Sequence, residues 1–483
     1  MRPSLSAARL KPARNKLLLS TQIEDAVIDQ STGKVHAASD DLRSGQSKLL
    51  RWLNRGSLAI LDQGLISGSN FLVSILLARW LAPDSYGAYA VAFGILVLLT
   101  LVYSALILEP MSVYGGAAYR KSLLGYVKSL LKMHAAVSLG FALVVGAGAL
   151  LLSYSGRDAG LAGALFGVAL ASPCVLLLWV LRRALYLKMH SGRAATGALL
   201  YCLLMVAGLW AFNAKALLSP LNALLLMGAA ALVASIPLMA FLRGDLGQDS
   251  VSSPSLSEAW QRHWQYGRWA LASSFVAWIP AYIFLPLLTA FAGMARSGDL
   301  KALTNFVAPL DQTLAALSLL FLPHAARVRA ERSHEDVRVL TRNLLTLSIA
   351  GSAFYWLLVV NLKAPIFALL YSGKYAEVSY LLPAVALGSI LWSAAYGPAI
   401  ALRAMESPKS VFTAYLVTTV VCLTVGIPAT RYFGLKGAIW SGNLADFASL
   451  SVILVILYRK LNDGRRTASN QLRAVAIPGD AQL

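Results

Sequence analysis

The stretch AYAVAFGILVLLTLVYSALILEP, residues 88–110, contains no charged residue before Glu109. A helix of this length crosses a hydrocarbon core about 30 Å thick at a rise of about 1.5 Å per residue. Similar apolar runs recur through the 483-residue chain. The predicted spans are 58–78, 88–110, 133–153, 159–181, 194–212, 220–242, 269–292, 302–323, 344–362, 378–401, 410–430 and 437–457. The sequence therefore predicts an all-α membrane protein with about twelve transmembrane helices.

The composition excludes a soluble globular protein, because 58% of the residues are hydrophobic and only 13% are charged. A net charge of +20 would suit nucleic-acid binding in a soluble domain. Here the basic residues concentrate in loops and tails, where they orient helices in the bilayer. We therefore expect no nucleic-acid partner. The three cysteines lie far apart inside predicted spans and have no metal-ligand spacing, so we expect no disulfide, metal or cofactor.

The basic residues alternate from loop to loop. If the N-terminus is inside, the cytoplasmic loops carry about twice as many Lys and Arg residues as the opposite loops, and both basic tails fall on the same side. This bias predicts an even number of spans in a bacterial inner membrane, with both termini in the cytoplasm.

A polar loop, GDLGQDSVSSPSLSEAWQRHWQYG, follows the sixth predicted span. It divides the chain into two sets of six spans, which predicts two six-helix bundles around a central cavity, the common architecture of alternating-access carriers. The expected segments are a basic, disordered cytoplasmic tail 1–56, an N-terminal bundle 57–242, a cytoplasmic linker 243–268, a C-terminal bundle 269–460 and a cytoplasmic tail 461–483.

The stretch DQGLISGSNFLVSILLARWLAPDSYGAYA, residues 62–90, resembles the first span and first external loop of Wzx-type bacterial polysaccharide exporters. These exporters belong to the multidrug/oligosaccharidyl-lipid/polysaccharide (MOP) superfamily. The matching features are a polar-punctuated helix, then Ala78-Arg79, Leu81, Pro83 and Tyr86-Gly87-x-Tyr89. Leu322-Pro323 and GLKGAIWSGNLADF, residues 434–447, are similar as well.

The resemblance implies a flippase that moves an undecaprenyl-diphosphate-linked oligosaccharide to the periplasmic leaflet. It implies twelve spans around a cationic cavity, an ion gradient as the energy source, and a polysaccharide polymerase and chain-length regulator as partners. The absence of a GxxxxGK(S/T) phosphate-binding motif from the sequence agrees with transport that does not consume ATP.

Polar side chains punctuate the first predicted span. Ser67, Asn70 and Ser74 share one helical face because they are three and four residues apart, and Asp62 lies at the edge of that face. One interpretation is a substrate-binding stripe that lines the cavity. The other is hydrogen bonding between helices, which Ser and Asn commonly provide in membranes.

Arg79 lies at the external end of the same span. Its guanidinium could bind a diphosphate through two parallel hydrogen bonds. Alternatively, it is an interfacial arginine that reaches the lipid headgroups, beside Trp80. The resemblance includes this arginine, which favours the substrate role.

Asp311 and Asp446 lie within the eighth and twelfth predicted spans. A charged side chain at the bilayer centre costs about 2.5–3.5 kcal/mol, so each requires an explanation. They are candidates for proton or sodium coupling, or they form charge pairs that lock two helices together. Glu109-Pro110 predicts the end of the second helix.

Three other functions compete with the flippase. A cation-coupled multidrug exporter of the same superfamily would favour an acidic, aromatic cavity. A membrane glycosyltransferase or ligase would need a large periplasmic loop, whereas every predicted external loop is short. A lipid II flippase more often has more spans than this chain. No catalytic cluster is evident, so we expect a transporter and not an enzyme.

Overall fold

A computed structural model of the chain describes residues 58, 61–120, 122–156, 158–245, 254–331, 334–405 and 407–475. The predicted disordered tail 1–56 lies outside these residues. Throughout the described part, every regular element is helical, which confirms the all-α class.

The N-terminal half contains six long helices. They are α1 (Leu61–Trp80), α2 (Pro83–Gly116), α3 (Leu123–Ser155), α4 (Ala159–Leu187), α5 (Ser191–Ala214) and α6 (Pro220–Asp245). Helix α4 packs against α2, α3 and α6, and α5 packs against α6. These contacts form the first bundle.

The C-terminal half also contains six. They are α7 (Leu256–Tyr282, continued as Phe284–Ala292), α8 (Met294–Thr304 and Ala308–Glu331), α9 (His334–Asn361), α10 (Leu382–Ala404), α11 (408–433) and α12 (435–475). A short helix, Lys363–Tyr371, lies between α9 and α10. Helix α10 packs against α8, α9 and α12, which forms the second bundle.

The count of twelve spans depends on three local features: the bend in α7, the break at Gly434 and the polar residues of α8. Within the described residues, nine helices are long and apolar enough to cross a membrane, or ten when the bent helix α7 is included. One of them, Lys409–Asn462, would be roughly 80 Å long if straight, more than twice the core thickness. It divides at Gly434, whose φ of 56° interrupts the helix. Helix α8 completes the twelve; Asp311 and Gln312 lower its hydropathy.

The linker between the bundles is shorter than the sequence predicts. Helix α7 begins at Leu256 and not near 269, because Ser255 caps it by accepting a hydrogen bond from the Glu258 amide at 3.1 Å. Residues 256–268 of the predicted linker therefore belong to a helix that extends beyond its apolar core.

The second helix does not end at Glu109-Pro110, as the proline predicts. It continues to Gly116 through a π-helical turn, Ser104–Leu108. Pro110 has no amide hydrogen to donate to the Leu106 carbonyl. The buried His263 of α7 donates to that carbonyl through Nδ1 at 2.8 Å, and its Nε2 accepts from the Tyr126 hydroxyl at 2.8 Å. A helix of the second bundle thus completes a hydrogen bond that the proline removes from the first.

Close packing of α4 on α6 generates a stability prediction. A Cβ atom on Gly228 would lie 2.8 Å from the Ala171 Cα, so Gly228→Leu forces the two helices apart. Overpacking of this kind costs about 1–3 kcal/mol, and we expect a lower thermal unfolding temperature in detergent. Gly148→Leu is the matched control, because nothing lies within 4 Å of that position. Equal unfolding temperatures for the two variants would contradict this packing.

Candidate functional site

The polar stripe of α1 faces helix α8. The Ser67 hydroxyl donates to Gln312 Oε1 at 3.1 Å, and the Ser74 hydroxyl donates to Asn305 Oδ1 at 2.9 Å. Asn70 is half-buried on the same helical face. Interhelical hydrogen bonding, one of the two interpretations from the sequence, therefore occurs at both serines. Their contact with a substrate stays a prediction.

A closed ring of hydrogen bonds lies where α1, α2 and α8 meet. Asn305 Nδ2 donates to the Tyr86 hydroxyl at 2.9 Å, and that hydroxyl lies 2.8 Å from Ser74 Oγ. Asn305 also reaches the Tyr371 hydroxyl at 3.3 Å, which donates to the Ala302 carbonyl at 2.8 Å. All four side chains are buried, so water does not compete for these bonds. The ring joins the two bundles at one end of the spans.

Two glycines allow α2 and α8 to touch beside this ring. A Cβ atom on Gly87 would lie 2.0 Å from the Met294 carbonyl oxygen. One on Gly298 would lie 2.5 Å from the Pro83 carbonyl oxygen. Because neither space admits a side chain, the helices meet backbone to backbone. We call the hydrogen-bonded ring of Ser74, Tyr86 and Asn305, together with this glycine contact, the bundle seal.

Two cations reach across the same end of the molecule. Arg79 donates through Nη1 to the Leu369 carbonyl of the short helix. In the opposite direction, Lys374 Nζ donates to the Leu81 carbonyl at 2.9 Å, and partial burial lowers the pKa of Lys374. Arg79, the predicted diphosphate ligand, thus holds a carbonyl of the second bundle in this conformation.

Asp62 is buried in an ion pair inside the first bundle. Arg182 of α4 donates to it through Nε at 3.1 Å and through Nη2 at 2.6 Å, and the Tyr186 hydroxyl donates at 2.5 Å. The Asp62 side chain is only 1% exposed. Its charge is therefore neutralised within the protein, which its position on the sequence stripe does not reveal. Substrate binding by Asp62 stays a prediction.

Asp311 and Asp446 come together inside the second bundle. Their charges lie close enough to interact, Trp392 of α10 lies near Asp311, and Asp311 Oδ1 has no hydrogen-bond partner among the described groups. Asn443, one turn before Asp446, donates to the Ala384 carbonyl at 2.8 Å and fits against Gly388. Among the described residues neither carboxylate forms a salt bridge, so charge pairing does not account for them. Two adjacent carboxylates repel each other, and one bound cation relieves that repulsion.

Sequence reasoning missed Arg182 and Asn305. Arg182 follows the predicted end of the fourth span by one residue and was counted with the loop, although α4 continues to Leu187. Asn305 lies near the start of the eighth predicted span and carries no charge, so the cost of a buried charge, which selects Asp311, does not single it out. No cluster of three or more His, Cys, Asp or Glu residues occurs in the described part of the chain, and the carboxylate pair is the best candidate for holding a cation.

Removal of Arg182, the partner of Asp62 in the buried ion pair, should lower the stability of the protein. Arg182→Met leaves a buried carboxylate without its counter-charge, and we expect a loss of about 3–5 kcal/mol of stability, measured by thermal unfolding in detergent. The double variant Asp62→Leu/Arg182→Met should be more stable than Arg182→Met alone. Arg183→Met, at the next position, is the control. Additive effects of the two substitutions would show that the residues do not interact.

The glycine contact predicts a shift between conformations. Gly298→Leu cannot fit against Pro83, so the ends of α2 and α8 should separate. Asp84 and Glu377 are exposed, so each can be replaced by a spin-labelled cysteine in an otherwise cysteine-free protein. Double electron–electron resonance should then show a longer distance between the two labels. Gly351→Leu, where nothing lies within 4 Å, should keep the wild-type distance. Identical distance distributions for both variants would contradict the seal.

Comparisons with known proteins find similar folds but no similar sequences. No protein-family model matches the chain, and no curated protein matches its sequence significantly. Solved structures do match. An inward-facing MATE-family multidrug resistance transporter of the MOP superfamily superposes with a TM-score of 0.72 at 13% identity, covering 85% of this chain and 99% of that one.

Two further structures match over a similar extent. The lipid II flippase MurJ, in an inward closed conformation, gives a TM-score of 0.62 at 12% identity, covering 85% of this chain and 87% of that one. An outward-facing MATE-family structure gives 0.60 at 14% identity, covering 86% and 96%. The chain therefore has the same multi-pass helical fold as these three solved structures.

Proposed function

We propose that this protein carries an undecaprenyl-diphosphate-linked oligosaccharide repeat unit across a bacterial inner membrane for the synthesis of a surface polysaccharide. The two termini lie in the cytoplasm, as the loop charges indicate. A polysaccharide polymerase and a chain-length regulator act on the delivered unit. The fold supports a transporter of this kind, since solved structures of both a lipid-linked flippase and multidrug transporters share it.

The Asp62–Arg182 ion pair is the observation that carries the choice of substrate. An organic cation is best held by an unpaired carboxylate in an apolar cavity. The only carboxylate of α1 is 1% exposed and bound by Arg182. The other polar residues of the stripe, including Gln63, Ser67 and Asn70, carry hydroxyl and amide groups. Such groups can form hydrogen bonds with the hydroxyl groups of a glycan.

Arg79 supplies the charge that a diphosphate needs. In the present conformation it donates to the Leu369 carbonyl, a neutral acceptor. A diphosphate oxygen is a stronger acceptor, because it carries negative charge and a diphosphate can accept two parallel hydrogen bonds from one guanidinium. Diphosphate binding therefore draws Arg79 away from Leu369 and removes one contact that holds the two bundles together.

Asp311 and Asp446 supply the coupling to an ion gradient. Their mutual repulsion gives the pair affinity for one proton or one sodium ion. Both lie on helices of the second bundle, and Asp311 immediately precedes Gln312, which accepts a hydrogen bond from Ser67 of the α1 stripe. Cation binding and release at this pair drive the return of the empty carrier.

A cation-coupled multidrug exporter is the second candidate, because the highest TM-score reported above, 0.72, is to a MATE-family multidrug transporter. Its substrate would meet the same α1 stripe. The paired state of Asp62 argues against it at this stripe, and we assign Asp311 and Asp446, which form no salt bridge among the described residues, to ion coupling.

Deletion of the gene tests the proposal. Cells without the protein should accumulate a complete lipid-linked repeat unit and lose surface polymer, measured by mass spectrometry of extracted lipids. Wild type should restore both. Arg79→Ala should lower the rate of polymer export about tenfold or more, since a charged hydrogen bond contributes about 1.5–3 kcal/mol. Lys215→Ala, at the end of α5, should behave as wild type.

The opposite result would identify the other candidate. Normal polymer without accumulation, together with greater sensitivity to organic cations, would contradict the flippase and support the multidrug exporter.

A further inference from the structure

A cavity of about 40 Å³ with both polar and apolar lining residues lies inside the second bundle, between α8, α10, α11 and α12. Its polar lining consists of Ser318, Trp392, Tyr396, Arg403, Tyr415 and Ser449. The Trp392 ring stacks on Tyr415, with centroids 5.8 Å apart, and meets Tyr396 edge-on at 6.4 Å. These aromatic contacts hold the walls apart and keep the space open.

The cavity lies between the carboxylate pair and Arg403, although neither carboxylate lines it. Ser318 is seven residues after Asp311 and Ser449 is three after Asp446, so each serine shares a helical face with its carboxylate. Trp392 belongs to both places, because it lines the cavity and lies near Asp311. All three helices run in the same direction here, from the carboxylates toward Arg403.

The polar groups of the lining indicate that the cavity holds water. The Ser449 residue is 1% exposed, and its hydroxyl has no hydrogen-bond partner among the described residues. The Ser318 hydroxyl lies beside Tyr396, but without hydrogen-bond geometry to any described group. Buried polar groups are normally hydrogen-bonded, and one water needs about 10–15 Å³ of such space. A volume of about 40 Å³ therefore accommodates two or three waters.

Arg403 closes the far end of the cavity. Its side chain is exposed and interacts with the Tyr415 hydroxyl. It lies eleven residues after Trp392 on α10, a distance of about 16 Å along the helix. The positive charge at this end repels a cation that enters the cavity, and the two carboxylates at the other end attract it.

We propose that this cavity is a cation pathway that leads from the membrane face at Arg403 to Asp311 and Asp446, separate from the route of the transported substrate. The loop charges assign the Arg403 end to the cytoplasm. Waters held by Ser318 and Ser449 solvate a proton or sodium ion on its way to the carboxylates. Arg403 controls access at the mouth. The inference rests on the cation coupling in the proposed function.

Rapid-mixing fluorescence of the purified protein in nanodiscs tests the pathway. Trp392 reports on cation binding because it neighbours Asp311, and Trp392→Phe identifies its signal. A sodium jump at constant pH and a pH jump without sodium separate the two cations. Ser449→Leu, which fills the cavity, should slow the response about tenfold and leave the equilibrium affinity unchanged, because a pathway affects entry and exit equally.

Matched variants separate the pathway from a structural effect. Ser451→Leu lies on the same helix, with its hydroxyl bonded to the Phe447 carbonyl of its own helix, and should respond at the wild-type rate. Arg403→Gln should speed sodium binding by removing the repulsive charge. Asp446→Asn should abolish the response. Ser449→Val is the smaller alternative if Ser449→Leu does not fold.

Three outcomes would overturn the inference. The first is a wild-type rate in Ser449→Leu or Ser449→Val, and the second is a changed affinity with an unchanged rate. Absence of any cation response in wild type would also overturn it. The assay contains no oligosaccharide, so its failure leaves the accumulation result for the proposed function unaffected.

Discussion

The bilayer requires every backbone polar group in its core to find a partner inside the protein, and this requirement shapes the contacts between the two bundles. Pro110 cannot donate to the Leu106 carbonyl, so His263 of α7 does. Trp278 of the same helix donates to the Gly94 carbonyl at 2.8 Å. Helix α7 thus binds α2 through carbonyl groups as well as by apolar packing. These hydrogen bonds hold the two bundles together only while α7 stays packed against α2.

The second interface works differently. At the bundle seal, α2 meets α8 through two glycines, and Asn305 joins Ser74 and Tyr86 in a small hydrogen-bonded ring. Such a contact has no large interlocking side chains to separate, and its hydroxyl and amide groups can be satisfied by water once exposed. We therefore expect the bundles to separate at the bundle seal and to stay in contact between α2 and α7.

Much of this architecture could be predicted because hydropathy and charge act over whole segments. Twelve spans follow from twenty-residue apolar windows, and Asp311 and Asp446 stand out because a buried charge is rare. The partners of these residues were harder to find, because they depend on which helices touch. Asp62 looks like a cavity residue until Arg182, 120 positions later, is seen to bind it. Likewise Pro110 predicts a helix end from its local sequence. The helix continues because His263 of the other bundle satisfies the Leu106 carbonyl, and no local pattern reveals that contact.

The proposed function requires that a lipid-linked glycan crosses the membrane through this protein. The most direct measurement is the sidedness of such a lipid in proteoliposomes, followed with periodate, which oxidises sugars only on the outer leaflet because it does not cross the bilayer. The account predicts that wild-type protein exposes lipid-linked oligosaccharide from the inner leaflet, and that Arg79→Ala does so far more slowly. Oxidation limited to the outer-leaflet share in the presence of wild-type protein and an imposed cation gradient would contradict it.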